Sequence, residues 1–337
     1  MPSELAPRRL LRRVLQVIVL LTGLVLVVVL APGLGEVRDK LAGADPTWIA
    51  VAVGLEFLSC TSYVLMFRPV FCRRMPWRTS WEISWSSLGM GSIVPASGAA
   101  GLALGAWILH EGGMPADRIA RRSVAFFLIK SSVNFVAVAV LGTVMALGLV
   151  GPDLSLWLTA LPAALAMLVI AAVLVVPRLG VGAPPPDDAG RIRKAVREVR
   201  KALVGGAAEA VQIVRSRNLL VITGSVGYWA WDNAALWAAF HAFGASPPLT
   251  VLLMGYLIGQ LGGLLPLPGG LGGIDGGLIG TLIVYGAPAA PTAAAVLVYR
   301  VVLFWLPLLA GAVAFISLRR ALNRPDRPEL CVVPAAT

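Results

Sequence analysis

The sequence predicts an all-α polytopic membrane protein, built as an inverted repeat with two Pro/Gly-broken re-entrant hairpins and about six to eight transmembrane helices. Three observations predict it. The composition is strongly apolar. A Pro/Gly-interrupted apolar stretch occurs twice, and each copy is followed about 35 positions later by a lone cation inside an apolar run. Broken helices are tolerated at membrane depth only within protein or along a cavity.

Composition excludes a soluble globular domain, because 58% of the residues are hydrophobic and only 13% are charged. The mean hydropathy is +0.83. Crossing a bilayer takes roughly 20 apolar residues. Two further apolar stretches, 81–110 and 249–284, are interrupted, so the chain holds about six full spans plus two hairpins, or about eight to ten spans if every hairpin arm crosses. The uninterrupted apolar runs are 14–31, 47–67, 123–150, 154–176, 218–243 and 293–318.

The basic residues predict orientation, since Lys and Arg in short loops stay on the cytoplasmic side. They cluster before the first run, after the second, after the first interrupted stretch, in the loop 177–217 and after the last run. Both termini are therefore expected in the cytoplasm of a bacterial inner membrane. Within 177–217, Ile192, Val196, Val199 and Leu203 share one face of a basic helix, which we expect on the inner leaflet.

The same charge map relates the two halves. The first hairpin begins and ends inside, whereas the second begins and ends outside, so the repeat is inverted. We expect a single transmembrane domain over 1–322, with repeat halves at about 47–150 and 218–318, the cytoplasmic loop 177–217 and a short tail, 323–337. The span 154–176 reverses the second copy relative to the first.

Two cations and several acids lie where charge is costly. Lys130 and Arg300 lie within apolar runs, and helix starts after the breaks at Pro95–Gly98 and Pro268–Gly273 would offer backbone N–H groups to an anion. Asp275, just after the second break, is placed to hold Arg300, and Asp232 is a second candidate partner. The alternative is that both cations reach water along their side chains or only pair with buried acids. Further candidate counter-charges are Glu56, Glu82 and Glu111.

One motif carries a family resemblance. It runs from Pro266 to Asp275 (PLPGGLGGID) and continues through Gly286, Tyr299-Arg300 and the Trp305-Leu306-Pro307 to Gly311 ending. The first half matches more loosely through Val94 to Gly98, Gly113 to Pro115 and Lys130. Over about residues 10–320 the chain resembles the lysylphosphatidylglycerol synthase transmembrane family, the flippase-like domain of the multiple peptide resistance factor. Asp275 stands where that family's pattern has Glu.

The resemblance implies a lipid flippase or transporter that moves the headgroup of a phospholipid or polyprenyl-phosphate-linked lipid through a polar cavity between the repeats. The chain is not expected to be an enzyme, because the aminoacyl chemistry belongs to a separate soluble domain and only 319–337 follows the last span. The alternatives are a membrane-embedded enzyme acting on a lipid phosphate and a non-transporting partner that presents lipid to an enzyme.

The expected partners are membrane lipids with an anionic or phosphate headgroup, with a second copy of the chain or a lipid-modifying enzyme as further possibilities. Nucleic acid, metal and cofactor are not expected, and the sequence has no GxxxxGK[ST] phosphate loop. The expected substrate-binding residues are Lys130, Arg300, Asp275, Asp232, Pro95, Ser97, Gly98, Pro268, Gly269 and Gly270.

Overall fold

The computed structural model describes residues 35–93, 99–181, 190–244, 246–261 and 272–322, which form helices and no strand. This confirms the predicted all-α class. In chain order the helices are α1 (Gly35–Ala42), α2 (Pro46–Phe71), α3 (Trp77–Ile93), α4 (Ala99–Glu111), α5 (Ala116–Ala146), α6 (Leu156–Val175), α7 (Arg191–Arg215), α8 (Leu219–His241), α9 (Leu249–Gly259), α10 (Gly273–Val284) and α11 (Ala289–Leu322).

Within the described ranges, four segments are long and apolar enough to cross a membrane: Pro46–Phe71, Ala116–Ala146, Leu156–Leu179 and Ala289–Arg320. They correspond to four of the six predicted apolar runs, and α8, with 23 residues, occupies a fifth. The run 14–31 lies outside the described residues. The protein is therefore a multi-pass membrane protein, and the total number of spans stays a prediction.

Each interrupted stretch contains two short helices that pack against each other, α3 on α4 and α9 on α10. A Cβ atom added at Gly259 in α9 would lie 2.6 Å from the Cα atom of Leu278 in α10, so this pair approaches at backbone distance. The connecting segments, 94–98 and 262–271, lie outside the described residues. They hold six of the expected substrate-binding residues, namely Pro95, Ser97, Gly98, Pro268, Gly269 and Gly270.

The central pair is α2 and α8, which pack along most of their lengths. A Cβ atom at Gly224 would lie 2.7 Å from the backbone nitrogen of Met66, and the Ser59 hydroxyl donates to the Tyr228 carbonyl at 3.0 Å. Residue numbers rise along one helix as they fall along the other, so the pair is antiparallel. This register places Glu56 of α2 beside the turn of α8 that carries Asp232.

Polar residues at their N-termini fix where these two helices begin. The Asp45 side chain accepts the N–H of Thr47 at 2.8 Å, and Pro46 occupies the first helical position. The Asn218 side chain accepts the N–H of Leu220 at 3.1 Å at the start of α8. Each cap satisfies a backbone donor that the helix itself leaves without a partner.

Helix α7 is the predicted basic helix, and its second half docks on α5. Glu209 lies 2.9 Å from Arg122 and Lys201 lies 3.0 Å from Asp117, measured between nitrogen and oxygen. A side chain at Gly206 would collide with Val124 of α5. The apolar face of its first half is exposed, at 50% or more for each of Ile192, Val196, Val199 and Leu203.

Replacing Gly224 by alanine should lower the apparent melting temperature of the purified protein, because the added methyl group forces α8 away from α2. Overpacking of this kind costs about 1–3 kcal/mol. Gly54→Ala on the same pair is the matched control, since a Cβ atom there meets nothing within 4 Å. Dye-monitored thermal unfolding in detergent measures both. Equal melting temperatures for the two variants would contradict the close approach at Gly224.

Candidate functional site

Asp232 lies at the centre of a buried polar cluster. It is 6% exposed and lies on α8. One carboxylate oxygen accepts the hydroxyl of Tyr256 from α9, and the other accepts the hydroxyl of Tyr299 from α11, the latter at 2.6 Å. A buried carboxylate is stable only where donors replace its lost water. Here two neutral donors do so, and they connect three helices that are distant in sequence.

Arg300 follows Tyr299 on α11 and forms an ion pair with Asp275 of α10. Both side chains are buried, at 10% and 9% exposure. Consecutive residues leave a helix about 100° apart, so Tyr299 and Arg300 reach two different acids. Asp275 also accepts the backbone N–H of Gly272 at 2.8 Å, which caps α10. The sequence predicted that the backbone N–H groups at this helix start would bind an anion. In the structure the Asp275 carboxylate already accepts one of them.

Lys130 reaches the same region from α5. Its ammonium nitrogen lies 5.6 Å from the ring centroid of Tyr228 on α8, within the range of a cation–π contact. Asp232 lies within electrostatic range of both Lys130 and Arg300. The two lone cations of the sequence thus both interact with the same acid, Asp232.

Glu56 is a member of the cluster that sequence analysis treated only as a possible counter-charge. It lies on α2, is 3% exposed and is within electrostatic range of Asp232. One of its oxygens accepts the thiol of Cys60 at 3.3 Å, and the other has no hydrogen-bond partner among the described residues. A glutamate in the middle of a 26-residue apolar helix was the available signal, since such a residue is functional by default.

The tyrosines that bind Asp232 were not identified as site residues. Tyr256 and Tyr299 are each buried within apolar helices. Nothing in the spacing of the sequence joins them to an acid 24 or 67 positions away. Their hydroxyls are the hydrogen-bond donors of Asp232, which the sequence predicted only as a candidate partner of the cations.

The cluster contains more acidic than basic side chains, so it is not a purely positive site. Lys130 and Arg300 are balanced against three acids, Glu56, Asp232 and Asp275, so acids outnumber bases. Any anion that enters must therefore replace an existing partner of a cation. The ion pair of Arg300 with Asp275 is the place where such a replacement is chemically simplest, because one carboxylate already occupies the guanidinium.

Residues 14–311 match the family described as lysylphosphatidylglycerol synthase TM region. The chain belongs to this family. A UPF0104 membrane protein of Methanothermobacter thermautotrophicus, strain Delta H, is 25% identical over 321 residues, covering 88% of this chain and 92% of the relative. Two shorter matches, also to UPF0104 membrane proteins of that organism, are 42% identical over 93 residues and 30% identical over 86 residues, about a quarter of each chain. The resemblance inferred from the second motif is confirmed.

Removing the hydroxyl of Tyr299 should destabilise the fold, because the buried Asp232 carboxylate then loses a donor. Leaving a buried acceptor without its donor costs about 1–3 kcal/mol. We expect Tyr299→Phe to lower the apparent melting temperature clearly. Tyr63→Phe is the control, since the Tyr63 ring packs on Phe67 and Phe126 in the other half of the core.

A double-mutant cycle of Tyr299→Phe with Asp232→Ala tests the contact itself. The two changes should be strongly non-additive, because the first removes the donor and the second the acceptor of the same hydrogen bond. Additive shifts in melting temperature would mean that Tyr299 and Asp232 do not interact in the folded protein.

Proposed function

We propose that this family member is a lipid flippase that moves the phosphate-bearing headgroup of a phospholipid or polyprenyl-phosphate-linked lipid across the bacterial inner membrane. The observation that carries the proposal is the buried, exchangeable ion pair between Arg300 and Asp275 at the start of α10. Ionisable residues at membrane depth are costly and mark pathways for charged groups. The chain belongs to a family named for lysylphosphatidylglycerol synthases, which supports a lipid headgroup as the charged group that passes through the protein.

The chemical step is a partner exchange at Arg300. A guanidinium binds a phosphate through two parallel N–H donors, as it binds a carboxylate. When the headgroup arrives, its phosphate takes the place of Asp275. Asp275 keeps the N–H of Gly272 and so stays beside the site. It can then take Arg300 back, which releases the phosphate.

Lys130 supplies the second binding position. Its ammonium lies over the Tyr228 ring and within electrostatic range of Asp232. As a point charge without a fixed fork, Lys130 releases a phosphate more readily than Arg300 does. We propose that a headgroup passes between the two cations and that Asp232 sets the electrostatic balance between them.

The rest of the pathway belongs to the same proposal. We propose that the two helix pairs are re-entrant hairpins of an inverted repeat. Pro95, Ser97, Gly98, Pro268, Gly269 and Gly270, which lie outside the described residues, stay predicted substrate-binding residues. Both termini lie in the cytoplasm. The chain is a transporter and not an enzyme, it needs no cofactor, and it operates alone, as a homo-oligomer or beside a lipid-modifying enzyme.

Headgroup translocation in proteoliposomes tests this function. Fluorescent lipids of several anionic headgroups are quenched chemically from outside, and the native chain is compared with Lys130→Ala and Arg300→Ala at equal reconstitution. Both variants should lose most of the movement. Arg215→Ala is the matched control, because Arg215 is an exposed cation at the end of α7. No movement by the native chain above empty vesicles, even with an imposed proton gradient, would overturn the proposal.

Replacing Asp275 should separate binding from transport. In Asp275→Asn the competitor for Arg300 loses its charge, so headgroup affinity should rise about tenfold while turnover falls, because release slows. Asp275→Glu, which restores the acid of the family pattern, should keep both near native values. Affinity is measured with a short-chain phosphatidylglycerol by thermophoresis, and turnover in the vesicles. A loss of affinity in Asp275→Asn would contradict the exchange.

A second candidate function rests on Glu56 and Asp232, two buried carboxyl groups within electrostatic range of each other on the packed helices α2 and α8. Two neighbouring acids in a buried site are a common arrangement for acid–base work, here on a lipid phosphate. Mass spectrometry of the lipids after transport distinguishes the two functions. A flippase returns every lipid chemically unchanged, whereas an enzyme yields a product that Glu56→Gln abolishes.

A further inference from the structure

A second polar site lies far from the cluster just described, in a cleft of about 540 Å³ between the first turns of α3 and the last turns of α11. Arg300 and Arg320 are 20 residues apart on α11, which is about 30 Å along the helix. The cleft is therefore separate from the ion pair with Asp275. It lies on the side of the membrane where α2 ends and α3 begins, which carries the arginine-rich loop Arg68–Arg78.

The cleft exists because of how its two helices meet. They touch at backbone distance farther along, where a Cβ atom on Gly89 would lie 2.8 Å from the carbonyl oxygen of Pro307. Beyond this contact the first turn of α3 and the last turns of α11 enclose open space. Ser317 bridges the floor by donating its hydroxyl to Glu82 at 2.8 Å.

Two arginines flank this floor. Glu82 accepts the Nε of Arg78 at 3.2 Å, which orients that guanidinium, and the Arg78 side chain is 86% exposed. Arg320 lines the cleft from α11. Two positive charges against the one of Glu82 leave a formal charge of +1. That charge complements a phosphodiester, which carries one negative charge, better than a headgroup with several phosphates.

The apolar wall of the cleft indicates where the ligand comes from. Val313 and Ile316 line it and are 70% and 52% exposed on the surface of α11, a helix long and apolar enough to cross a membrane. Trp77 and Trp81 at the start of α3 are 45% and 38% exposed, as is typical of residues at the membrane interface. A ligand in this cleft has its charged part between arginines and its apolar part on the side of the bilayer.

We propose that the cleft between α3 and α11 is a binding site for a membrane phospholipid with a single phosphodiester. The phosphate lies between Arg78 and Arg320, the hydroxyls of Thr79 and Ser317 lie within the same cleft, and an acyl chain follows Val313 and Ile316 into the bilayer. This site does not depend on the proposed transport. It holds a lipid at the rim of the protein whether or not the central cluster moves one.

Lipid retention and competition test the site. The full chain is purified in detergent and titrated with a short-chain phosphatidylglycerol, followed by native mass spectrometry. All variants carry Arg300→Ala, so that the proposed central site does not contribute, and in this background Arg78→Gln/Arg320→Gln should weaken binding about tenfold. The control is Arg74→Gln/Arg319→Gln, which removes two exposed arginines from the same rim outside the cleft and should leave binding in the Arg300→Ala background unchanged.

Two further arms make the outcome decisive. Thr79→Trp fills the cleft without changing any charge and should weaken binding to a similar degree, while circular dichroism checks that the variant is folded. Glycerol phosphate and inorganic phosphate should compete poorly, because they lack the acyl chain. Equal competition by inorganic phosphate, or an equal loss in the control pair, would overturn the proposal in favour of a free-anion site or a diffuse charged rim.

Discussion

The cost of placing charge inside a membrane governs this structure. In the part of the chain that the structure describes, Glu56, Asp232, Asp275, Lys130 and Arg300 lie within apolar helices, and such groups need partners because lipid offers none. Asp232 meets the demand with two tyrosine hydroxyls and Asp275 with an arginine and a backbone amide. These contacts connect α8, α9, α10 and α11. Polar pairing therefore determines the arrangement of the second half of the chain, where an apolar surface alone would distinguish poorly between one helix packing and another.

Small residues let other pairs of helices pack at backbone distance. Gly224 brings α8 against α2, Gly259 brings α9 against α10, and Gly89 brings α3 against α11. The tyrosine side chains act between other helix pairs, since Tyr256 of α9 and Tyr299 of α11 both reach Asp232 of α8. Glycine at the helix crossings and tyrosine at the cluster thus hold different pairs of helices together. Neither is informative alone, since glycine in a membrane helix is common and a buried tyrosine is usually core.

Most of the helices could be predicted from the sequence, because the length of an apolar run and its interruption by proline and glycine can be read from neighbouring residues alone. The runs that became α2, α5, α6 and α11 were visible directly, and so were Lys130, Arg300 and Asp275 as charges out of place. The partners of Asp232 were not visible. Tyr256 and Tyr299 are 24 and 67 positions from Asp232 in the sequence. Which tyrosine faces which acid depends on how each helix is rotated about its axis, and the spacing of apolar residues does not determine that rotation. The start of α10 also differs from expectation, because Asp275 caps it and occupies an amide that an anion would otherwise use.

Asp232 and Asp275 differ in how easily an anion could displace their partners. This difference favours a structural role for Asp232 and a binding role for Asp275. Asp232 is held by hydroxyl donors of neutral side chains. An incoming anion would gain little by taking a neutral donor away from a carboxylate, so in the proposed exchange this contact would persist. Asp275 is held by a guanidinium, and a phosphate is an equivalent ligand for it. The proposed exchange would replace one ion pair by another and would not leave Arg300 without a counter-charge. A protein that must bind an anion inside a membrane and then release it needs one contact of each kind, a fixed one to hold the helices and an exchangeable one to hold the cargo.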